Sequence, residues 1–499
     1  MLLTTSEVAL GAGLIAVALG VFFAVLIAKT NARCRGVAVA LLVGLFLTPL
    51  HMTAAGWMAA LGAMGWATDA LTALGFTEPL LSSIGGAIWV HAMAATPAAT
   101  LLIAVSLRSV DATSEEQALL DSSPWRVLWN VTLPAAWPGM VAAACWTMVC
   151  ASTEIAATDL FRVRTFAEET YTQAALGALV LPGASWGSSV LGYVSATLLL
   201  ACLAYAVLTM LRRAVDRWIH TEQVRPWRAR LGHGKWLATA ALLAGLLLVA
   251  GVPLGSLVYQ AGASPGYDSS AWSAGKLFEE VAIAPWEHRR EILVSSSLAA
   301  VVATTTLMLA SLLAWGMRAS TRIAGGGWLV VALLLAAPGP LVGIMTIRAL
   351  NQPPDGALSV LGDLYGTWFA PWLVQTVRVF PFAVIFLWPA LASVPRSLVD
   401  SARSEGAGWL GCLLRVAVPM RWGAIGLTWV VAFSLSMGEL SATALVTPPG
   451  TPPLSVRVLS LLHYGVEDRV AAICLVLFLA QTAAAAAALG IAWREERAT

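Results

Sequence analysis

Long apolar stretches follow one another along almost the whole chain, and short polar segments separate them. We count about eleven stretches of about 18 or more mostly apolar residues, each long enough for a helix that crosses about 30 Å of hydrocarbon. They cover residues 7–28, 38–60, 86–107, 138–158, 188–211, 236–258, 293–316, 327–349, 369–392, 422–444 and 469–492. The pattern predicts an all-α polytopic membrane protein.

Composition supports a membrane location. Of the 499 residues, 59% are hydrophobic and 11% are charged, whereas a soluble domain carries about 25% charged residues. The first apolar stretch lacks a basic start and a clear cleavage site, so we do not expect a removable signal peptide. A net charge of +2 gives no reason to expect a nucleic-acid partner.

Basic residues between the stretches predict the orientation, because cytoplasmic loops are enriched in Lys and Arg. Lys29, Arg33 and Arg35 follow the first stretch, and a basic cluster occupies 212–235. Placing these inside puts the N-terminus outside and the C-terminus in the cytoplasm.

One polar segment occurs twice. The sequence EEQALLDSSPWRVLWNVTLP occupies Glu115–Pro134, and DSARSEGAGWLGCLLRVAVP occupies Asp400–Pro419, so the two copies have equal length. Each copy joins two long apolar stretches on the predicted cytoplasmic side. We name residues 108–137 the first repeat loop and residues 394–421 the second repeat loop.

The repeat continues beyond these loops. Glu154 precedes IAATDL and Glu439 precedes LSATAL, and the offset between these acids equals the offset between the loops. An even number of predicted spans separates the copies, so the two halves have the same orientation in the membrane. We therefore predict two parallel helical bundles: a first domain at 1–212 with five spans, a basic cytoplasmic linker at 213–235, and a second domain at 236–499 with six spans.

The repeat loops are expected to be ordered. Ser114, followed by Glu115 and Glu116, predicts a helix N-cap with acidic residues in the first turn. Pro134 and Pro419 are expected to end the element before the next span. A short amphipathic helix at the cytoplasmic surface is suited to docking a partner.

The second repeat loop resembles a motif of the permease subunits of binding-protein-dependent ABC importers, E-A-A-x-x-x-G followed after nine residues by I-x-L-P. The first repeat loop matches it more loosely, with Asp121 at the glycine position, so we expect its turn to differ. The candidate coupling residues are Glu115, Ala118, Asp121, Trp125, Leu133 and Pro134 in the first loop, and Asp400, Ala402, Gly406, Trp409 and Pro419 in the second.

The resemblance implies the type I ABC importer permease fold, in the bacterial plasma (inner) membrane. It also implies two ABC ATPase subunits on the cytoplasmic side and an extracytoplasmic solute-binding protein. The chain has no G-x-x-x-x-G-K-[ST] phosphate loop, so we expect it not to be an enzyme and to bind no cofactor itself, with ATP and Mg on the ATPase subunits. Closure of the ATPases would rock the two halves between inward- and outward-open states.

The fused halves and two further segments indicate which solute such an importer would carry. Two fused permease halves in one chain are typical of ferric-iron and thiamine importers, and the segments Val163–Ala174 and Met437–Gly465 resemble the ferric-iron type. Iron(III) is therefore the first expectation, with thiamine, polyamine and phosphonate-type compounds as alternatives. A secondary transporter with fused repeats is the rival class, but it would not need docking loops.

Two acids within apolar stretches lie at matched positions. Glu154 and Glu439, with Thr158 and Thr443 one turn further on, could form a polar path for a cation, since ionisable residues in spans are costly. Alternatively, the carboxylates cap or hydrogen-bond neighbouring helices. The scattered cysteines and histidines show no ligand spacing, so no metal site is expected.

Overall fold

The computed structural model describes residues 1–63, 65–75, 81–175, 188–220, 227–263, 272–353, 356, 358–450, 452–464 and 468–498, and its regular elements are all helices. The helices up to the first repeat loop are α1 (Leu2–Ala28), α2 (Arg35–Leu47), α3 (Leu50–Leu61), α4 (Trp66–Ala73) and α5 (Ser83–Arg108). The first repeat loop holds α6 (Ala112–Asp121), α7 (Pro124–Val127), a π-helix (Leu128–Thr132) and α8 (Leu133–Ala135). Next come α9 (Trp137–Thr153), α10 (Ala156–Leu160), α11 (Phe166–Ala175), α12 (Ser188–His220), α13 (Gly234–Leu246), a π-helix (Leu247–Gly251), α14 (Val252–Gly262) and α15 (Ala274–Glu287).

The second half follows a similar order. It begins with α16 (Arg289–Ala319), α17 (Thr321–Ala336), α18 (Gly339–Leu350), α19 (Ser359–Leu364) and α20 (Phe369–Ala392). The second repeat loop holds α21 (Arg396–Ser404), α22 (Trp409–Cys412), a π-helix (Leu413–Ala417) and α23 (Val418–Met420). The chain then forms α24 (Trp422–Gly438), α25 (Thr443–Val446), α26 (Leu454–Leu462) and α27 (Asp468–Ala498).

The apolar helices account for the eleven predicted spans. Seven helices are long and apolar enough to cross a membrane, and four bent helix pairs bring the total to eleven if each pair counts as one span. Each predicted stretch overlaps one of these, so the all-α polytopic architecture is confirmed. The orientation remains a prediction.

Four predicted spans are not continuous helices. The stretches 138–158 and 422–444 are interrupted after Thr153 and Gly438, so Glu154 and Glu439 lie just past the ends of their helices. The other two, 38–60 and 327–349, break at a proline. The first breaks at Thr48–Pro49 with a bend of 106°, and the second breaks at Ala337–Pro338 with a bend of 99°. The residue before each proline is extended, with ψ of 126° at Thr48 and 119° at Ala337, because the proline ring disfavours a helical conformation there. The two prolines lie slightly further apart in the sequence than the two repeat loops do, so the offset is not constant through the repeat.

The chain divides into two compact units, each built from separate segments. The first comprises Met1–Gln173, Ala206–Arg289 and Val456–Thr482, and the second comprises Ala174–Tyr205, Arg290–Ser455 and Ala483–Thr499. Each unit therefore contains one complete repeat loop and the helices on either side of it.

In the first unit, α1, α5 and α9 pack through small side chains. Ala16, Ala24, Ala99 and Ala143 are buried in one cluster together with Ile103. Small residues let helix backbones approach closely in a membrane, where packing contributes much of the association energy. In the second unit, α16, α20 and α24 bury the equivalent cluster of Leu298, Val302, Ala303, Val379 and Ala432.

The predicted linker at 213–235 begins inside α12, which continues to His220. Residues 221–226 of the linker lie outside the described residues. After them, the Ala229 N–H donates to the Lys29 carbonyl at 2.9 Å, and the Leu231 N–H donates to Asn31 Oδ1 at 3.2 Å. This part of the linker is therefore tied to the end of α1.

Candidate functional site

The two repeat loops share their helical elements as well as their sequence. In each loop a short α-helix, a five-residue π-helix and a three-residue α-helix follow one another, and their boundaries match one for one when the two sequences are superposed. Pro134 and Pro419 have no N–H to donate, and each lies just after its π-helix. Such π-turns are often found at functional sites.

The predicted stop at the two prolines falls slightly later in the structure. Pro134 lies within α8 and Pro419 within α23, and the chain bends where each of these short helices ends. The bends are 61° before α9 and 88° before α24. Each proline lies inside a helical run that continues unbroken from α7 or α22, so its missing N–H leaves a helical hydrogen bond unmade directly after the π-helix.

Gly406 ends α21 in a left-handed conformation, with φ of +87°. The Gly406 N–H donates to the Arg403 carbonyl and the Ala407 N–H donates to the Ala402 carbonyl, both at 2.9 Å. These two bonds form a Schellman motif, which accounts for the glycine that the sequence motif requires. Ala402 thus stabilises the turn through its backbone carbonyl.

Asp121, at the glycine position of the first repeat loop, has no such turn. It is the last residue of α6, and Ser122 after it is extended, with φ of −141° and ψ of 152°. The expected difference between the two turns is therefore present, and it follows from the low tolerance of side-chain-bearing residues for the left-handed region.

The N-cap of the first repeat loop is Asp111, and the prediction of Ser114 was wrong. The Asp111 carboxylate accepts from the Thr113 backbone N–H at 3.2 Å and from the Ser114 hydroxyl at 3.0 Å. The Thr113 side chain also donates to it, and these hydrogen bonds hold the pKa of Asp111 below its usual value. Ser114 instead lies in the first turn, directly before Glu115.

Glu115 is buried, although it was predicted to open a surface helix. Both of its oxygens accept from Lys29 Nζ at 2.7 Å, and Oε1 also accepts from the Thr132 hydroxyl at 2.7 Å. The Lys29 side chain is 2% exposed and the Glu115 side chain 0%. Burial lowers the pKa of the Lys29 ammonium, and Glu115 offsets part of that shift. This network joins the end of α1, α6 and the π-helix.

The described residues around the second repeat loop form no equivalent network. Lys29 precedes Pro49 by the same number of positions as Arg318 precedes Pro338, so the two cations are equivalent. Arg318 Nη2 donates to the Val394 carbonyl at 2.6 Å. Asp400, the counterpart of Glu115, is 70% exposed and lies 3.9 Å from Arg403.

Apolar side chains are exposed on both loops. In the first repeat loop, Leu120 is 84% exposed and Trp125 is 67% exposed. In the second, Leu410 is 49% exposed and Trp409 is 41% exposed. Exposed aromatic and aliphatic residues grouped on one surface are typical of protein interaction sites.

Two further loop residues have different surroundings. Leu133 is 7% exposed and belongs to the core of α1, α5 and α9. Ala118 is half-buried on α6. Leu133 therefore anchors the first repeat loop to the bundle, whereas Trp125 faces outwards.

Glu439 lies in a buried polar cluster of the second unit. Its carboxylate accepts from the backbone N–H groups of Ala442 at 3.0 Å and Thr443 at 2.9 Å, and from the Thr443 hydroxyl. Arg378 Nε lies 4.0 Å from Glu439 Oε1, while Arg378 Nη1 donates to the Ala337 carbonyl at 2.7 Å. Arg378 thus joins α20 to the break at Ala337 and lies close to the Glu439 carboxylate.

Glu154 caps a helix in the first unit. Its Oε1 accepts from the backbone N–H groups of Ile155 at 3.0 Å and Ala156 at 3.1 Å, at the start of α10. Thr158 is buried, and its hydroxyl donates to the Ile155 carbonyl at 3.1 Å. Both acids thus make the hydrogen bonds expected of a helix cap, and a role in a cation path stays a prediction.

Sequence reasoning missed Lys29 and Thr132 as parts of the site. Lys29 served only as a marker of orientation, and Thr132 lies between the two motif positions Val131 and Leu133. A lysine directly after an apolar span and an acid in a loop on the same predicted side were the available signals. Their 86-residue separation gave no reason to pair them.

Comparison with curated proteins finds transport permeases. Over 126 residues the chain is 26% identical to the spermidine/putrescine transport system permease protein PotC of Escherichia coli strain K12, covering 25% of this chain and 48% of PotC. Over 155 residues it is 31% identical to the "Putative 2-aminoethylphosphonate transport system permease protein PhnV" of Salmonella paratyphi A, covering 30% of this chain and 55% of PhnV.

The chain is similar to transport permeases. The matched regions span about half the length of these relatives, 48% and 55%. No protein-family model matches the chain.

Proposed function

We propose that this chain is the membrane-spanning permease of a binding-protein-dependent ABC importer. The observation that carries the proposal is the pair of repeat loops, which have the same order of helical elements and expose apolar side chains. Two such surfaces on one chain suit two copies of one partner, and two ABC ATPase subunits are that partner. A solute-binding protein would deliver the solute from outside the plasma (inner) membrane. The solute would then cross the membrane as the permease changes from its outward-open to its inward-open state.

Site-directed crosslinking tests the docking role. The exposed cysteines Cys34 and Cys202 would first be replaced by serine. Leu120→Cys and Leu410→Cys would then be introduced separately in the full chain, which is reconstituted with the ABC ATPase whose gene we expect to adjoin its own. We expect a crosslink from both positions to the ATPase.

Matched controls come from exposed leucines on the predicted outer side. Leu74 is 77% exposed in the first half and Leu358 is 56% exposed in the second. Leu74→Cys and Leu358→Cys should give no crosslink to the ATPase. Equal crosslinking at the outer and loop positions would contradict the proposal.

The energy source separates this proposal from a secondary transporter with fused repeats. Proteoliposomes that contain the chain and its ATPase, with the solute-binding protein and solute outside, should accumulate solute when ATP is supplied inside and no ion gradient is present. Uptake that follows an imposed proton or sodium gradient without ATP would favour the secondary transporter.

Several solutes are candidates. Iron(III) rests on the resemblance of Val163–Ala174 and Met437–Gly465 to ferric-iron permeases, while the names of the two relatives bring in spermidine, putrescine and 2-aminoethylphosphonate. Thiamine remains an alternative because of the fused halves. Binding of each compound to the cognate solute-binding protein, measured by calorimetry, would choose among them.

A further inference from the structure

A basic cavity lies beside the second repeat loop. It has a volume of about 370 Å³, within the range of about 300–1,000 Å³ that is usual for ligand sites, and it opens to the surface. Its lining includes three arginines, one carboxylate and two tryptophans: Arg318, Arg396, Arg403, Asp400, Trp315 and Trp409. With all four ionised, these side chains give the cavity a net charge of +2.

Contacts between the end of α16 and the second repeat loop fix one side of the cavity. The Arg318 guanidinium lies over the Trp315 ring at 4.9 Å and donates to the Val394 carbonyl. The Trp315 indole N–H donates to the Trp409 carbonyl at 3.2 Å. The end of α16 is therefore fixed against the second repeat loop, and Arg318 is oriented before any ligand arrives.

The other two arginines, Arg396 and Arg403, can reach a ligand in the cavity. Arg396 is exposed at the start of α21. Arg403 is 53% exposed, and among the described residues its one ion pair is the long 3.9 Å contact to Asp400. Arginine presents several N–H donors in a planar fork that matches phosphate oxygens. One carboxylate does not balance three guanidinium groups.

The first repeat loop provides an internal comparison. The positions equivalent to Arg318, Arg396, Asp400 and Arg403 are occupied by Lys29, Asp111, Glu115 and Ala118, whose net charge is −1. There, Lys29 is already paired with Glu115. An anion would therefore be favoured at the second loop and disfavoured at the first.

We propose that this cavity binds a phosphate group, and that the phosphate belongs to the headgroup of an anionic phospholipid. The cavity adjoins the end of α16, one of the apolar spans, and basic pockets at the ends of spans on the cytoplasmic side recognise such headgroups. A lipid held there would tether the second repeat loop to the bilayer.

The test uses the full chain, purified in detergent and stripped of lipid. Native mass spectrometry would measure binding of dioleoylphosphatidylglycerol and dioleoylphosphatidylcholine to the unmodified chain and to Arg396→Asp/Arg403→Ala, which copies the first loop. We expect phosphatidylglycerol binding to weaken at least ten-fold in the variant, with phosphatidylcholine binding unchanged. The exposed Arg415 of the same loop does not line the cavity, so Arg415→Ala should bind like the unmodified chain.

A second arm separates the sources of phosphate. Inorganic phosphate alone would be titrated against the thermal unfolding of the stripped chain and of Arg403→Ala, a single change at a half-exposed residue that should leave folding intact. Binding of free phosphate that depends on Arg403, without selective lipid binding, would support the phosphate site but assign it to a soluble ligand. If neither probe distinguishes the cavity variants from Arg415→Ala, the proposal is overturned. Because no ATPase is present, this result is independent of the docking role.

Discussion

The buried Lys29–Glu115 pair predicts a large cost for losing one charge. In Lys29→Met the Glu115 carboxylate, 0% exposed, would keep only the hydrogen bond from Thr132 among the contacts described above. At the observed 2.7 Å and an effective dielectric constant of about 20, the two charges attract each other by about 6 kcal/mol before desolvation is counted. Because desolvation offsets part of this, we expect Lys29→Met to lower the free energy of unfolding by about 3–5 kcal/mol.

A second lysine provides the matched control. Lys276 lies 2.6 Å from Asp468, but these side chains are 20% and 23% exposed. Water screens this partly exposed pair more than the buried one, so Lys276→Met should cost less, about 1 kcal/mol. Replacing both partners of the buried pair, in Lys29→Met/Glu115→Leu, should restore most of the loss, since two apolar side chains leave no unpaired charge.

Unfolding in mixed micelles with increasing dodecyl sulfate, followed by tryptophan fluorescence, measures these differences. The expected order of stability places the unmodified chain highest and Lys29→Met lowest, with the double variant and Lys276→Met between them. If Lys29→Met costs no more than Lys276→Met, or if the double variant is as unstable as the single one, the reasoning about a buried ion pair is refuted.

Three further predictions concern the repeat loops and the acids. Gly406→Val should destabilise the second loop by about 1–2 kcal/mol, because its φ of +87° is unfavourable for valine, and should reduce ATP-driven uptake; Gly408→Val, at φ of −68° with open space around it, is the control. Glu154→Gln/Glu439→Gln should slow uptake of a cationic solute if the acids form a path, and unchanged uptake would favour the capping role alone. Arg378→Met should lower thermal stability because it leaves Glu439, 9% exposed, without its nearby cation; an unchanged melting temperature would contradict this.

The apolar stretches could be predicted because each depends on local composition alone. Eleven long runs gave eleven spans or bent pairs, and Gly406 was recognised from a motif whose physical reason is a positive φ. The breaks at Pro49 and Pro338 were also visible in the sequence. They were missed because hydropathy stays high across them, although a proline forces the residue before it out of the helix.

The Lys29–Glu115–Thr132 network could not be predicted in the same way. Lys29 and Thr132 are 86 and 17 residues from Glu115, and only packing of α1 against the first repeat loop brings them together. Lys29 and Arg318 are equivalent when Pro49 and Pro338 are aligned, but not when the repeat loops are aligned. The repeat found from the loops therefore did not show that equivalence. Another pair of equivalent contacts also departs from that offset. Thr5 accepts from the Phe166 N–H in the first half, and Ser295 accepts from the Leu454 N–H in the second. Thr5 and Ser295, like Phe166 and Leu454, lie further apart in the sequence than the two repeat loops do.

One spacing does not drift between the halves. The chain from Glu115 to Glu154 is as long as the chain from Asp400 to Glu439, and each stretch contains a 17-residue helix, α9 or α24. A helix of this length is a rod of about 25 Å, and one added residue would turn its far end by about 100°. Each of these helices therefore fixes the distance and the rotation between a repeat loop and the carboxylate at its far end. A displacement of the loop would be transmitted to that carboxylate along the helix. Insertions that the chain accepts elsewhere in the repeat would misalign the carboxylate here.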